Sequence, residues 1–258
     1  MIDLHSHIIP NVDDGSTSIK ETLQILYYME TKGVKTAAAT PHYPLYNTSN
    51  FKEKIKAKVE TIRKEALKNN LKLNIILGSE IMYTKRLPRL YYEDKILTIN
   101  NTDYILLEFR MGKKPRKLAE VVHDLKSMGV KIIIAHPERY YYVQKDHTIL
   151  YKWIEEYNLK LMLNSSSLNG SHGSQAEKTA VKMLDLGLCH LMASDTHGRD
   201  NRPFTLDKGL ERAEEIRSGS KNLFNNNAEA VLKNIDLKNL EIKREKPSLL
   251  RNVFSFMI

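Results

Sequence analysis

Seven short, mostly apolar runs recur along the chain, and segments with helical periodicity separate them. Short apolar runs predict buried strands, whereas apolar residues at every third or fourth position predict amphipathic helices. Ser18 followed by Glu21 is a capping pattern that predicts a helix start ahead of TLQILYYME. The predicted strands are 2–4, 35–40, 73–77, 104–109, 131–135, 159–163 and 190–194.

This alternation predicts an α/β fold with parallel strands and right-handed crossovers. Seven strand–helix units fit a closed or nearly closed barrel better than an open sheet, and an open doubly wound sheet is the alternative. No linker divides the chain into separate domains. One cysteine, Cys189, excludes an internal disulfide framework, and no apolar run approaches the about 20 residues of a membrane-spanning helix. A cytoplasmic protein is therefore expected.

Polar residues able to bind a metal or an anion follow every predicted strand. In parallel α/β barrels the active site forms at this end of the strands, so these side chains are expected to meet. The pattern includes five histidines and at least three acidic residues, which are His5, His7, His42, His136 and His197 with Glu80, Glu108 and Asp195.

Imidazole and carboxylate without thiolate suit Zn, Mn or Fe. Eight such ligands exceed what one ion can use, so two or three ions with a bridging carboxylate are expected. Paired ions about 4 Å apart polarise a phosphoryl oxygen and acidify water. Asp14 is an extra ligand or a general acid, and Asp13 is expected to be a turn or cap residue.

Several motifs resemble a known family. The elements D-L-H-S-H, T-P-H, G-x-E, A-H-P-E-R and S-D-x-H resemble the PHP superfamily, named for polymerase and histidinol phosphatase. More narrowly, H-x-H-x-x-P-x-x-D-D-G-S, L-x-E-F and A-H-P-E-R-Y resemble the bacterial PHP protein-tyrosine phosphatases of capsule and exopolysaccharide operons. The resemblance implies a distorted seven-stranded (β/α) TIM-like barrel, the PHP fold, over residues 1–240, followed by a basic and apolar tail over 241–258.

The resemblance also implies an activity, which is hydrolysis of phosphotyrosine on a tyrosine autokinase of the polysaccharide export machinery, regulating capsule or exopolysaccharide synthesis. It implies three metal ions, with Mn expected first and Fe or Zn as alternatives. Arg139 would bind phosphate, Arg202 rather than Arg199 would be a second substrate arginine, and Asp14 would be a third-site ligand or acid. The implied metal ligands are His5, His7, His42, Glu80, Glu108, His136, Asp195 and His197.

Physical reasoning is compatible with an aryl phosphate. The planar fork of Arg139 matches two phosphate oxygens, although a surface ion pair with Glu138 is the alternative for this arginine. A phenol has a pKa near 10 and leaves with little help from a general acid. The alternatives are another PHP phosphomonoesterase, such as a histidinol phosphatase, and a non-catalytic metal-stabilised binding module. Cysteine phosphatase chemistry is excluded, because the residue six after Cys189 is Asp195 and not arginine.

The chain is basic, with a formal net charge of +9. No nucleic-acid motif accompanies this charge, so no nucleic-acid partner is expected. The KKPRK run at 113–117 either attracts an acidic phosphopeptide or is a solvated loop. The tail either contacts a membrane surface or the kinase, or is a docked or frayed terminus.

Overall fold

The computed structural model describes residues 1–44 and 50–244. Each of the seven predicted apolar runs overlaps one strand, and a further short strand, β4, follows the third run almost directly. The strands in the described residues are β1 Ile2–Ser6, β2 Thr36–Ala39, β3 Asn74–Leu77, β4 Glu80–Met82, β5 Tyr104–Glu108, β6 Lys131–Ala135, β7 Lys160–Asn164 and β8 Leu191–Ala193.

Helices connect most of the strands, as the alternating pattern predicts. The α-helices of the described residues are α1 Ile19–Thr31, α2 Phe51–Lys68, α3 Leu87–Tyr92, α4 Leu118–Ser127, α5 Tyr141–Lys145, α6 Ile149–Glu155, α7 Ser174–Asp185, α8 Leu206–Ile216 and α9 Ser220–Leu232. Short 3₁₀ turns occupy Ile99–Asn101, Pro137–Arg139 and Ser165–Asn169. The predicted cap of α1 is confirmed, because the Ser18 hydroxyl accepts a hydrogen bond from the Glu21 backbone N–H at 3.2 Å.

The strands form two parallel sheets, with the orders β1-β2-β3 and β4-β5-β6-β7-β8. Isolated parallel bridges join the two sheets, one between Ser6 and Thr196 and the other between His42 and Glu80. The parallel α/β prediction is confirmed, but the predicted strand count of seven is corrected to eight in the described residues, without a closed ladder. The reason lies at Gly78 and Ser79, where the chain leaves its pairing with β2 and begins, at Glu80, to pair with β5.

The strands are buried on both sides, as parallel strands covered by helices are. Successive residues of β5 point to opposite faces, so Leu106 packs with the smaller apolar cluster, while Ile105 and Leu107 pack with the larger one. The smaller cluster also includes Leu4 and Ile133 from neighbouring strands. This packing holds the carboxyl ends of the strands together at one end of the molecule.

His190, just before β8, is a buried histidine away from the predicted ligands. It is 1% exposed, and its Nδ1 accepts a hydrogen bond from the Leu161 backbone N–H at 3.1 Å. Burial, assisted by the nearby Lys160, lowers the pKa of His190 to about 3. The folded state therefore prefers the neutral ring, and the stability this provides is present above about pH 6.5 and is lost as the pH falls toward 3.

We expect a His190→Asn variant, whose amide oxygen can accept the same hydrogen bond, to lose less stability in acid than the unsubstituted chain. The predicted difference is about 2 kcal/mol in the free energy of unfolding between about pH 6.5 and about pH 5. Urea unfolding at these two pH values measures it. Equal acid losses for the two chains would contradict the assignment of His190 as a buried neutral group.

Further predictions concern Cys189, the C-terminal tail, the domain boundary and membrane-spanning segments. Cys189 is buried and is part of the larger apolar cluster. The tail prediction for 241–258 lies outside the described residues from 245 onward, while Arg244 forms an ion pair with Glu155. The domain division at 240 stays a prediction. Within the part of the chain that the structure describes, no helix has the length and apolar character needed to cross a membrane.

Candidate metal centre

Glu80, the first residue of β4, lies at the centre of the predicted ligands and is 1% exposed. Its Oε1 lies 2.8 Å from His136 Nε2 and 3.3 Å from His5 Nε2. Its Oε2 lies 3.0 Å from His42 Nδ1 and 3.4 Å from His7 Nε2. One carboxylate therefore contacts four histidines that come from three different segments of the chain.

Asp195, which follows β8, is a second centre of contacts. Its Oδ1 lies 3.3 Å from His5 Nε2 and 3.5 Å from both His7 Nε2 and His197 Nδ1. Its Oδ2 accepts hydrogen bonds from Arg139 Nη1 at 3.0 Å and from Arg202 Nη2 at 2.6 Å. Asp195 thus connects the histidine cluster to the two predicted substrate arginines.

The outer rim of the site is partly open to solvent. The side chain of Asp14 is 61% exposed, and that of His42 is 38% exposed. Asp14 Oδ1 lies 3.4 Å from His42 Nε2 and 3.3 Å from His197 Nε2, and Arg202 Nη1 lies 3.6 Å from Asp14 Oδ2. Glu108 is the more buried acid on this side. Its Oε2 lies 3.9 Å from His42 Nδ1, and its Oε1 lies 3.8 Å from His136 Nε2. The structure therefore brings together every residue that the sequence predicts for the site.

These side chains form overlapping groups whose potential ligand atoms lie close enough together to hold a metal ion. Within each group the potential ligand atoms lie within 4.8 Å of one another. The groups are His7–Asp14–His42–His197, His5–His7–Glu80, His5–His136–Asp195 and His42–Glu80–Glu108.

Several buried atoms of the site have no hydrogen-bond partner among the residues that the structure describes. They include Nε2 of His5, His7 and His197, together with Oδ1 of Asp195. Leaving a buried polar atom unpaired costs about 1–3 kcal/mol, so a cluster of such atoms calls for a ligand. Imidazole nitrogen and carboxylate oxygen suit divalent transition metals, and the residues present therefore fit a metal site.

Outer partners fix the orientation of two histidines. Thr40 Oγ1 lies 2.7 Å from His5 Nδ1, and Asp13 Oδ2 lies 2.8 Å from His7 Nδ1. Each contact leaves Nε2 directed at the cluster, as outer hydrogen bonds commonly do for metal-binding histidines. Asp13 also accepts a hydrogen bond from the Gly15 backbone N–H, which confirms its predicted turn role, but its part in orienting His7 was not predicted. The pair of adjacent acids in V-D-D-G is the sequence feature that could have indicated this orienting role.

The electrostatics of the site reflect this mixture of bases and acids. Burial alone would raise the pKa of Glu80, but His5, His136 and His42 outweigh it and hold the pKa well below its usual range. Burial and the charge of Glu80 raise the pKa of Glu108 to about 8. Burial opposes the protonation of His7, but Asp13 and Glu80 raise its pKa to about 10. The site therefore attracts positive charge, which bound metal ions would supply in place of protons.

The backbone is strained at the site. His136 has φ 36°, Asp195 has φ 52° and Arg202 has φ 54°. Residues with a side chain rarely adopt this left-handed region, and such conformations cluster at functional sites. The strained residues are therefore among those that the sequence analysis identifies as candidate site residues.

Two further polar residues, Asn164 and His172, lie at the site. Asn164 caps the 3₁₀ turn after β7, and its Nδ2 donates to Asp195 Oδ2 at 2.8 Å. His172 Nε2 lies 2.9 Å from the Ser166 hydroxyl, beside Asn164. For Arg139, the side chain pairs with Asp195 and not with Glu138, whose Oε1 accepts a hydrogen bond from the Ser167 hydroxyl. The alternative of a surface ion pair between Arg139 and Glu138 is therefore wrong.

Comparison with known proteins identifies relatives over most of the chain. CapC of Staphylococcus aureus is 35% identical over 228 residues, which cover 86% of this chain and 89% of CapC. Tyrosine-protein phosphatase YwqE of Bacillus subtilis is 29% identical over 235 residues, or 91% of this chain and 92% of YwqE.

Among solved structures, one from a study of YwqE of Bacillus subtilis and CpsB of Streptococcus pneumoniae superposes with a TM-score of 0.90. It is 27% identical, and the match covers 95% of this chain and 100% of the other; that study describes its proteins as unique metal-dependent tyrosine phosphatases. An amidohydrolase from Mycoplasma synoviae, 14% identical with a TM-score of 0.57, shares the fold. The family model for capsular polysaccharide synthesis, CpsB/CapC, matches residues 1–233, and the chain belongs to this family.

Proposed function

We propose that this chain is a metal-dependent tyrosine-protein phosphatase of capsule or exopolysaccharide synthesis. Its substrate would be phosphotyrosine on the tyrosine autokinase of the polysaccharide export machinery. The observation that carries the proposal is the arrangement around Asp195, where one carboxylate joins the histidine cluster to Arg139 and Arg202. A phosphoryl group bound between the arginines and the cluster would meet positive charge on both sides once the cluster holds its metal ions.

We propose that His5, His7, His42, Glu80, Glu108, His136, Asp195 and His197 hold two or three divalent metal ions, with Asp14 as a third-site ligand or acid. The overlapping ligand groups and the unpaired buried atoms support this number. Mn is the proposed metal, with Fe or Zn as alternatives. When bound, such ions act as Lewis acids on a phosphoryl oxygen and acidify water.

The protein's own side chains would bind the phosphoryl group and supply or accept a proton. Arg139 is 20% exposed and Arg202 27% exposed at their side chains, so both can be reached from solvent while anchored on Asp195. Their guanidinium groups would bind the phosphoryl oxygens and orient the ester bond. Asp14, at the solvent-exposed rim, would hold or move a proton near the leaving oxygen. A phenolate leaves readily, so weak acid assistance suffices.

The proposal also covers the barrel architecture, the domain boundary, the cellular location and the tail. We treat the two sheets, joined by their isolated bridges, as one barrel of the PHP type. Residues 1–240 would form the single catalytic domain, and the protein would act in the cytoplasm. The tail over 241–258 would contact the kinase or the membrane surface.

The substrate preference tests the proposal. Purified protein supplied with Mn²⁺ should hydrolyse a tyrosine-phosphorylated peptide with a kcat/KM at least about tenfold above that for histidinol phosphate, because the aryl leaving group is the better one. Phosphate release from both substrates at matched concentrations is the measurement. The reverse preference would assign the chain to the histidinol-phosphatase-like alternative. Metal binding without turnover of either ester would favour the binding module.

A further inference from the structure

A cavity beside the metal centre is surrounded by positive charge. It measures about 380 Å³ and lies between the segment after β4 and the loop after β5. No carboxylate is found among the described residues that line it. Its basic lining residues are all exposed, and they are Lys85, Arg110, Lys113, Lys114 and Arg116.

Within the described part of the chain, these five side chains lack the ion pairs that many other basic residues of the surface form. By contrast, Lys117 Nζ, next in the chain, lies 2.8 Å from Glu120 Oε2, and Arg89 Nε lies 2.6 Å from Glu93 Oε1. Across residues 1–44 and 50–244, none of the five cavity cations lies within ion-pairing distance of a carboxylate. Their mutual repulsion is therefore uncompensated within the described chain, and an anionic partner would relieve it.

Contacts with the metal centre hold the cavity in place. The Tyr83 hydroxyl donates a hydrogen bond to the Arg116 carbonyl at 2.7 Å, and the Tyr83 backbone N–H donates to the Glu108 carbonyl at 2.8 Å. The ring of Tyr83 packs edge-on against Phe109, with centroids 5.4 Å apart. Because Phe109 directly follows Glu108, the cavity and the proposed metal site share the end of β5.

We propose that this basic cavity is an exosite that binds an acidic segment of the substrate polypeptide, on the same chain as the phosphotyrosine. The inference rests on the proposed phosphatase function and adds to it a reason for preferring one protein substrate. Clustered charge beside an active site raises the encounter rate with an oppositely charged substrate, and salt weakens the effect. This proposal corresponds to the first role predicted for the KKPRK run at 113–117, the attraction of an acidic phosphopeptide.

A charge-removing variant tests the exosite. We would replace Lys113, Lys114 and Arg116 with alanine, and use as a matched control the exposed lysines of α2, Lys54, Lys56 and Lys64, also replaced with alanine. The substrates are two phosphotyrosine peptides that differ in having acidic or amide side chains beside the phosphotyrosine. A small ester, p-nitrophenyl phosphate, normalises each enzyme for the state of its metal centre.

The expected result is a preference of the unsubstituted chain for the acidic peptide, on the order of tenfold in kcat/KM at low salt. The cavity variant should lose this preference, mainly through KM, and the α2 control should keep it. Added salt should reduce the preference of the unsubstituted chain and of the control, but not that of the cavity variant. An unchanged preference in the cavity variant, or an equal loss in the control, would overturn the proposal.

Other occupants give different results. If vesicles containing phosphatidylglycerol, or duplex DNA, bind the unsubstituted chain but not the cavity variant, while the peptide preference is retained, the cavity serves those anions and the exosite proposal is wrong. If the unsubstituted chain hydrolyses none of the esters, the proposed function fails. In that case fluorescence anisotropy with non-hydrolysable phosphonate versions of the peptides still decides whether the cavity binds the acidic segment.

Discussion

A Glu80→Gln variant should lose at least about 100-fold in kcat/KM for a phosphotyrosine peptide and should retain less metal after dialysis. Glutamine has the size of glutamate, but it lacks the charge and replaces one oxygen with an N–H₂ group. The central carboxylate contacts four histidines between 2.8 and 3.4 Å. Its loss would therefore weaken several of the overlapping ligand groups at once. Kinetics with added Mn²⁺ and elemental analysis of the same preparation measure the two effects.

The control for this variant is Glu53→Gln, an exposed acid in the first turn of α2. It should bind metal and turn over substrate as the unsubstituted chain does. Unsubstituted protein treated with a chelator should resemble the Glu80 variant, and added metal should restore that protein but not the variant. A Glu80→Gln protein with normal metal content and normal turnover would contradict the assignment of Glu80 as a shared ligand.

An Arg139→Lys variant should lose on the order of 100-fold to 1000-fold in kcat while keeping its metal. Lysine preserves the positive charge next to Asp195, so the buried carboxylate keeps a cation nearby. It lacks the planar fork that binds two phosphoryl oxygens at once. The loss should therefore appear in turnover of the phosphate ester and not in metal content, which separates this variant from Glu80→Gln.

The matched control for Arg139 is Arg212→Lys on α8, where the arginine pairs with Glu215 on the surface. This exchange should leave kcat unchanged, because a surface ion pair tolerates either cation. Thermal unfolding of both variants verifies that the fold persists. If Arg139→Lys turns over substrate at the unsubstituted rate, Arg139 has no part in binding the phosphoryl group.

Strand positions and the chemistry at their ends were predictable for the same physical reason. A parallel strand covered on both sides must be a nearly continuous apolar run, so the run is easy to find and the polar residue that ends it stands out. Glu108 and His136 were located in this way. The strand β4 was missed because its three residues, Glu80–Met82, begin with a charge and follow Gly78 and Ser79 too closely to form a separate run.

The residues that support the ligands were harder to predict. Asp13 and Asn164 belong to residue types that commonly cap helices and form turns, and both do so here. Their second contacts, to His7 and Asp195, depend on how segments distant in the chain meet. His172 lies in a loop between the 3₁₀ turn and α7, where no strand end marks it. Such contacts are properties of the assembled fold, and local patterns do not encode them.

The left-handed backbone at His136 and Asp195 has a consequence for laboratory evolution. Glycine would occupy these positions at a lower conformational cost, since strain of this kind amounts to about 1–3 kcal/mol per residue. Glycine would, however, also remove the buried contacts of His136 with Glu80 and of Asp195 with Arg139. Clones in a library selected for heat resistance alone that relieved the strain in this way would have discarded their chemistry. Screens on this protein need turnover as a second criterion in every round.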